Sequence, residues 1–101
     1  MARVSQLRIY TIEDGKLDEF VQRWKAGVLP LRLGHGFTVD GAWVAREENR
    51  FVWILSYDGP ETWEAANAAY YDSDERKALG PDPAKLIAEV QTWFISDVVR
   101  Q

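Results

Sequence analysis

One imidazole is the first candidate for chemistry in this chain. His35 is the only histidine among the 101 residues, and it lies between Gly34 and Gly36. Because an imidazole has a reference pKa of about 6.5, it takes or releases a proton near neutral pH. We therefore predict that His35 is an acid–base or ligand-contacting group. The alternative is that its ring caps the last carbonyl groups of a preceding helix or packs beneath Phe37.

Arginine and tyrosine side chains are candidates to complete such a site. Arg8 and Arg32 are charged at every relevant pH and suit an anionic or enolate oxygen, although each could instead form a surface ion pair. Tyrosine hydroxyl groups can donate hydrogen bonds to a substrate oxygen. We predict that His35, Tyr10 and Arg8 are catalytic and that Arg32 binds substrate.

The aromatic content is high, with five tryptophans, four tyrosines and four phenylalanines. So many large rings in a short chain fill a core, cover a partner surface or line a ligand cavity. The residues that we predict to bind substrate together with Arg32 are Phe20, Trp24, Trp43, Trp53, Tyr57, Trp63 and Tyr70. Aromatic residues at helical or strand spacing are usually packing residues, so the alternative is that much of this set lies in the core or in a dimer interface.

Composition disfavours several other classes of site. Cysteine is absent, which excludes thiolates and disulfides, and one histidine with scattered carboxylates predicts no metal site. Nothing matches a nucleophile or phosphate motif, so we expect no cofactor. A net charge of −4 without a basic stripe disfavours nucleic acid. No run approaches the roughly 18 apolar residues of a membrane span and no leader-like segment precedes the first strand, so we expect one cytoplasmic domain over residues 1–101.

The first half of the chain reads as a strand followed by a helix. Residues 4–12 alternate with the period of a strand, which puts Arg8 and Tyr10 on the same side. The next segment has apolar residues at helical spacing and predicts an amphipathic helix of about four turns. Pro30 should kink this helix, and Gly34 should end it in a left-handed cap.

Two strands follow, at 37–45 and 51–57, joined by a polar hairpin loop. Alternation along the first of them predicts one side made of Phe37, Val39, Gly41 and Trp43. The other strand is apolar on both faces over residues 51–55, which is typical of a strand buried on both sides.

Capping residues predict the elements of the last third. Asp58 should begin a helix, and Asp72 should begin a further short helix that Gly80 ends. A turn at 82–86 leads into a final strand at 90–99, which is again apolar on both sides.

The order β-α-β-β-α-β is that of a ferredoxin-like α+β unit, with a four-stranded antiparallel sheet and both helices on one face. Two of the four strands are apolar on both faces, although helices can cover only one. An exposed apolar sheet face is an aggregation hazard that a second copy of the chain can cover. We therefore predict a homodimer.

Several segments resemble the NIPSNAP family in their order and spacing, and the likeness covers nearly the whole chain. The segments are residues 7–11, 15–20, 29–32, 35–37, 41–43, 51–58 and 70–76. The resemblance implies the dimeric α/β-barrel fold, in which two ferredoxin-like units close their sheets around a shared core. The wider superfamily includes cofactor-free monooxygenases of quinol-type rings, polyketide cyclases, isomerases and haem-degrading enzymes, as well as members with no known reaction.

We predict one aromatic-lined pocket in each subunit of a homodimer, for a small, largely apolar, ring-containing molecule. The expected chemistry is cofactor-free proton transfer of the cyclase, isomerase or monooxygenase type, by His35 with tyrosine and arginine groups stabilising an enolate or phenolate. One alternative is a non-catalytic ligand-binding or protein-interaction module. A second is haem binding and degradation, with His35 as the sole imidazole ligand.

Overall fold

Four antiparallel strands form the sheet on which the site is built. In the computed structural model, which describes residues 3–99, the strand order is β2-β3-β1-β4. Each neighbouring pair is antiparallel, so the ferredoxin-like prediction is confirmed. The strands are β1 (Val4–Ile12), β2 (Phe37–Ala45), β3 (Arg50–Tyr57) and β4 (Ile87–Ile95).

The helices cover one face of this sheet. They are α1 (Leu17–Arg23), α2 (Leu29–Gly34), α3 (Trp63–Asp72) and α4 (Asp74–Lys77). A π-helical turn at Trp24–Val28 joins α1 to α2 without interrupting the helix, and a 3₁₀ turn at Pro83–Leu86 leads into β4. Under the helices lies a core of buried rings, in which Phe51 and Trp53 of β3 contact Phe20 and Trp24.

The irregularity that we predicted at Pro30 lies before it. Pro30 stands in the first turn of α2, where a missing N–H is tolerated, and the preceding turn is widened to the π form. Trp24, Val28 and Arg32 then follow at intervals of four residues, and all three are buried. The widened turn therefore keeps one face of the long helix on the sheet.

Three predicted helix boundaries are wrong. Thr62 rather than Asp58 caps α3, since its hydroxyl accepts the N–H of Ala65 at 3.0 Å. Ser73 rather than Asp72 caps α4 in the same way. Helix α4 ends at Lys77, ahead of the predicted stop at Gly80.

A β-bulge in β2 reverses the predicted faces of that strand. The pairing register with β3 shifts between Val39 and Gly41, which leaves Asp40 as the extra residue. Phe37 and Val39 therefore face the helices, but Gly41 and Trp43 face the opposite side. The predicted common face was wrong because one inserted residue inverts a period of two.

The sheet face away from the helices is apolar and partly exposed. Pairing puts Trp43 beside Val52, and Leu7 between Ile54 and Trp93. The side chains of Trp43 and Trp93 are 54% and 49% exposed. Strand β4 ends at Ile95, four residues before the predicted end. The apolar second face that the sequence predicts is thus present in the single chain.

The left-handed residue after α2 is Gly36 and not Gly34. Gly36 has a φ of +87°, whereas Gly34 is the last helical residue. We expect Gly36→Ala to lower the free energy of unfolding by about 1 to 2 kcal/mol, because a Cβ is strained in this conformation. Urea denaturation measures the effect.

Gly34→Ala is the matched control. A Cβ at Gly34 meets no atom within 4 Å, so alanine should leave the stability unchanged or raise it by up to about 1 kcal/mol through helix propensity. Equal destabilisation by both variants would contradict the assignment of the cap to Gly36.

Candidate functional site

A cavity of about 230 Å³ lies between the sheet and the helices. Strands β1 and β3, the helix 17–34, the α3–α4 region and the turn into β4 all contribute to its wall. Its lining consists of Arg8, Tyr10, Phe20, Trp24, Val28, Arg32, Trp53, Tyr70, Tyr71, Arg76, Pro83, Ala84, Ile87 and Val90. No carboxylate is among these residues, and three of them are arginines.

Strand alternation builds the floor of the cavity around Arg8. Gln6, Arg8 and Tyr10 share the buried face of β1 because they are two residues apart. The Arg8 guanidinium donates Nε to the Tyr10 hydroxyl at 2.9 Å and Nη1 to Gln6 Oε1 at 2.9 Å. Its Nη2 donates to the Tyr71 hydroxyl at 3.2 Å. All three donor nitrogens thus have partners, and none of these partners is a carboxylate.

Arg32 is more deeply buried and has less compensation. Its side chain is 1% exposed, and its one hydrogen bond goes from Nη1 to Asn67 Oδ1 at 2.9 Å. The guanidinium carbon lies 3.8 Å from the Tyr70 ring centroid and 4.6 Å from that of Phe37. Cation–π contact offsets part of the cost of burying this charge, but no carboxylate within the described residues pairs with it.

Helices α3 and α4 bring two tyrosines and a third arginine to the same wall. The rings of Tyr70 and Tyr71 meet edge to face with centroids 5.1 Å apart. The guanidinium group of Arg76 lies at nearly equal distances from these two rings. It also forms an ion pair with Asp82, in which Nη1 is 3.4 Å from Oδ1. The Tyr71 side chain is 40% exposed, so it stands where the wall meets solvent.

Five buried polar side-chain atoms within residues 3–99 have no hydrogen-bond partner, and all five belong to residues of this cavity. They are Nε1 of Trp24 and Trp53, Nε of Arg32 and Arg76, and the hydroxyl of Tyr70. Every one is a hydrogen-bond donor. Buried donors are rarely left without partners, and here all five belong to side chains in the wall of one cavity of ligand size.

The electrostatic environment separates the three tyrosines. Burial raises the pKa of Tyr10 and of Tyr70, and in both cases it outweighs the nearby arginines. Trp53 beside Tyr10, and Arg76 beside Tyr70, approach the hydroxyls closely enough to lower these pKa values a little without reaching hydrogen-bond geometry. Tyr10 and Tyr70 are therefore held in the protonated form.

The pKa of Tyr71 is shifted in the opposite direction. Burial raises its pKa, but Arg8, Arg32 and Arg76 together lower it by more, and the net direction is downward. At Arg8, burial lowers the pKa of the guanidinium group, but the oxygens of Tyr10 and Tyr71 raise it by more. The net shift is therefore upward. Burial dominates at Arg32 and lowers its pKa.

The structure brings together seven of the eleven predicted site residues. Those that line the cavity are Arg8, Tyr10, Phe20, Trp24, Arg32, Trp53 and Tyr70. His35 is not in the lining; its ring packs edge to face on Tyr70, with centroids 5.6 Å apart. Trp43 lies on the opposite face of the sheet because of the bulge, so its predicted place in the pocket is wrong.

The other two predicted residues lie at a second, more open depression. Tyr57 and Trp63 line it together with Phe94, and Trp63 packs edge to face on Phe94 with centroids 5.6 Å apart. The Tyr57 hydroxyl accepts the N–H of Glu61 at 3.3 Å. These two residues therefore serve packing and loop structure away from the cavity.

Sequence reasoning missed Tyr71 and Arg76. Tyr71 is rotated away from the face shared by Trp63 and Tyr70, so helical periodicity assigns it to solvent. The signal that could have pointed to it is its place next to Tyr70 in a helix expected to border the pocket. The sequence spacing of Arg76 does not indicate that it lines the cavity, because its position depends on how α4 packs.

Residues 3–99 contain neither a metal-binding cluster nor a membrane-spanning helix. No group of three histidine or carboxylate residues lies close enough to hold a metal ion. No helix in that range has the length and apolar character needed to cross a membrane.

Comparison with solved structures gives neighbours that share the fold at low sequence identity. An uncharacterized NIPSNAP domain protein from Burkholderia xenovorans superimposes with a TM-score of 0.82 at 18% identity, over 97% of each chain. A NIPSNAP family protein from Agrobacterium tumefaciens gives a TM-score of 0.85 at 14% identity, over 98% of this chain and 89% of that one.

A more distant neighbour carries a functional name. It is a protein from Nitrosomonas europaea whose name suggests an antibiotic biosynthesis monooxygenase, with a TM-score of 0.69 at 14% identity, over 97% of this chain and 92% of that one. No curated protein matches the sequence. The sequence profile of the NIPSNAP family matches residues 5–99, and the chain therefore belongs to the NIPSNAP family.

Proposed function

We propose that this protein is a homodimeric enzyme that binds a small, anionic, ring-containing molecule in the cavity of each subunit and transfers a proton without a cofactor. The observation that carries the proposal is the set of five buried donors without partners, gathered around one cavity with three arginines and no acid. A ligand with a carboxylate or an equivalent anionic oxygen would supply the acceptor that the side chains of this wall lack. It would also neutralise charge that the protein leaves uncompensated.

The size and wall of the cavity favour a ring as the body of the ligand. A cavity of about 150 Å³ accepts benzene with room to spare, so 230 Å³ suits a substituted ring of roughly nine to twelve non-hydrogen atoms. Trp24 and Trp53 stand perpendicular to one another with centroids 5.2 Å apart, and Phe20 adds a further apolar surface. Flat aromatic walls of this kind suit a flat guest.

Proton transfer without a cofactor fits the groups present. Tyr10 and Tyr70 remain protonated donors, and the arginines stabilise an enolate or phenolate oxygen. The neighbour named for an antibiotic biosynthesis monooxygenase supports small-molecule chemistry on this fold, by analogy only. His35, outside the lining, is no longer the first candidate for the acid–base group.

The two alternatives receive less support. A non-catalytic binding module would use the same cavity without a proton acceptor, and ligand turnover separates it from an enzyme. Haem binding has little in its favour, because the cavity is too small to enclose the macrocycle and His35 does not line it.

The homodimer in this proposal is supported by the apolar sheet face opposite the helices. Trp43 and Trp93 lie on that face, half exposed, and Leu7 and Ile54 lie between them in the pairing register. Covering this surface with a second copy would remove it from water and leave the helix-facing cavity free.

Salicylate and salicylamide test the anionic preference, since they have nearly the same shape and differ in charge. We expect salicylate to bind at least about tenfold more tightly, because a charge-assisted hydrogen bond contributes about 1.5 to 3 kcal/mol. Isothermal titration calorimetry measures both affinities.

Arg32→Met is the variant that isolates the site in this experiment. It should abolish the preference for salicylate, and it should not lower the free energy of unfolding, because it removes a buried charge that has no carboxylate partner. Arg46→Met is the matched control, since Arg46 is exposed and pairs with Asp18. Equal binding of the two probes, or no binding of either, would refute an anion-selective cavity.

Sedimentation velocity tests the dimer. We expect a dimer at micromolar concentration, and we expect Trp93→Lys to weaken association by about 2 kcal/mol or more, because large aromatic residues dominate such interfaces. Leu33→Lys is the control: Leu33 is 52% exposed but lies on α2, away from this face. A wild-type monomer, or equal effects of the two lysines, would remove the sheet-face dimer.

A further inference from the structure

We propose that the hydroxyl oxygen of Tyr71, as a phenolate, is the proton acceptor of the cavity. It would take a proton from an acidic C–H or O–H group of the bound ring. The identity of that ligand rests on the function proposed above, whereas the state of Tyr71 in the free protein does not.

The case begins with the charges that surround this one phenol. Arg8 of β1 donates Nη2 directly to the Tyr71 hydroxyl at 3.2 Å. The guanidinium carbons of Arg32, from α2, and Arg76, from α4, lie 5.2 Å and 5.7 Å from the centroid of its ring. Three cations from three elements therefore face Tyr71, and they favour its negative form.

The remaining titratable neighbours do not cancel this effect. Tyr70 of α3 and Tyr10 of β1 both face the same region, and burial keeps both of them neutral. The carboxylate of Asp82 is paired with Arg76, and no carboxylate is among the groups that shift the pKa of Tyr71. Tyr71 is thus the tyrosine of the cavity whose pKa is lowered.

Exposure distinguishes Tyr71 from the other cavity tyrosines in a second way. Its side chain is 40% exposed, whereas Tyr10 and Tyr70 are 6% and 1% exposed. A base that exchanges its proton with solvent needs contact with water, and Tyr71 is the tyrosine of the cavity with such contact. Tyr10 and Tyr70 would then act as hydrogen-bond donors and Tyr71 as the proton acceptor. Acid–base sites commonly contain such groups with pKa values shifted in opposite directions.

The proposed step balances without an oxidant or a reductant. The C–H or O–H bond of the ligand breaks, its proton bonds to the Tyr71 oxygen, and its electron pair moves onto the ligand oxygen of an enolate or phenolate. The Nε–H groups of Arg32 and Arg76 and the Tyr70 hydroxyl, which have no partners in the free protein, are the donors for that oxygen.

The first experiment observes the phenol itself and needs no ligand. In protein labelled with ¹³C at the tyrosine ring carbon bonded to oxygen, an NMR pH titration follows all four tyrosines separately. We expect one of them to ionise at lower pH than a tyrosine in a short peptide. That resonance should be absent in Tyr71→Phe and should titrate at higher pH in Arg8→Met.

Tyr57→Phe is the matched control, because Tyr57 lies outside the cavity. It should leave the early titration in place. Tyr71→Phe removes an acceptor of the buried Arg8, so an amide NMR spectrum that matches the wild type outside the cavity establishes that this variant is folded. If no tyrosine ionises early, or if the early resonance persists in Tyr71→Phe, the proposal is overturned.

The second experiment tests proton abstraction with phenylpyruvate, an anionic ring compound with an acidic C–H bond next to its keto group. In D₂O the wild-type protein should accelerate exchange of these hydrogens, with a rate that rises with pH as Tyr71 ionises and then levels off. Tyr71→Phe should lose about 100-fold or more of the acceleration, the usual contribution of a general base. Tyr57→Phe should retain it. Equal acceleration by wild type and Tyr71→Phe would overturn the role.

The two proposals fail in different ways. Loss of salicylate binding in the wild type, with the early Tyr71 titration intact, would count against the ligand class and not against the phenolate. Tight salicylate binding with no early titration would leave the anion cavity standing and remove Tyr71 as its base.

Discussion

The site depends on guanidinium groups buried without carboxylates. Arg8 has three hydrogen bonds to amide and phenol oxygens, and Arg32 has one, supplemented by the faces of Phe37 and Tyr70. Such charges are costly to bury, and in the function that we propose an anion in the cavity offsets part of this cost. The same cations lower the pKa of Tyr71, whereas burial keeps Tyr10 and Tyr70 protonated. The ligand preference and the acid–base role that we propose for this cavity would thus have one physical origin.

The two faces of the sheet have different roles. The helix-facing side combines buried rings with charged and hydroxyl groups around an open space, whereas the other side is apolar and partly exposed. This division is what the proposed homodimer requires, with association through one face and a small-molecule site under the other. Membership of the NIPSNAP family and the likeness to solved members agree with the fold, and they leave the reaction to be found from the cavity.

Much of the architecture could be predicted from sequence because it depends on local periodicity. Alternation in β1 put Arg8 and Tyr10 on one face, and the helical spacing of Trp63 and Tyr70 put these two on another, as the structure has them. Prediction failed where a single residue changes the alternation of a strand or the position of a helix cap. The bulge at Asp40 moved Trp43 across the sheet, and the left-handed residue is Gly36 instead of Gly34. Neither the bulge nor the position of the cap alters composition or average hydrophobicity, so the hydrophobic pattern of the sequence does not reveal them.

The sequence by itself determined the element order, the family, the aromatic core and most of the cavity lining, because these follow from repeats of two and of three to four residues. Tertiary structure alone decided which groups meet. Tyr71 is 63 residues from Arg8 in the chain and is off the buried stripe of its helix, yet their hydrogen bond organises the cavity. His35, the most reactive residue by type, packs against Tyr70 outside the lining. The type of a residue sets its chemical character, but the fold decides which residues lie close to one another.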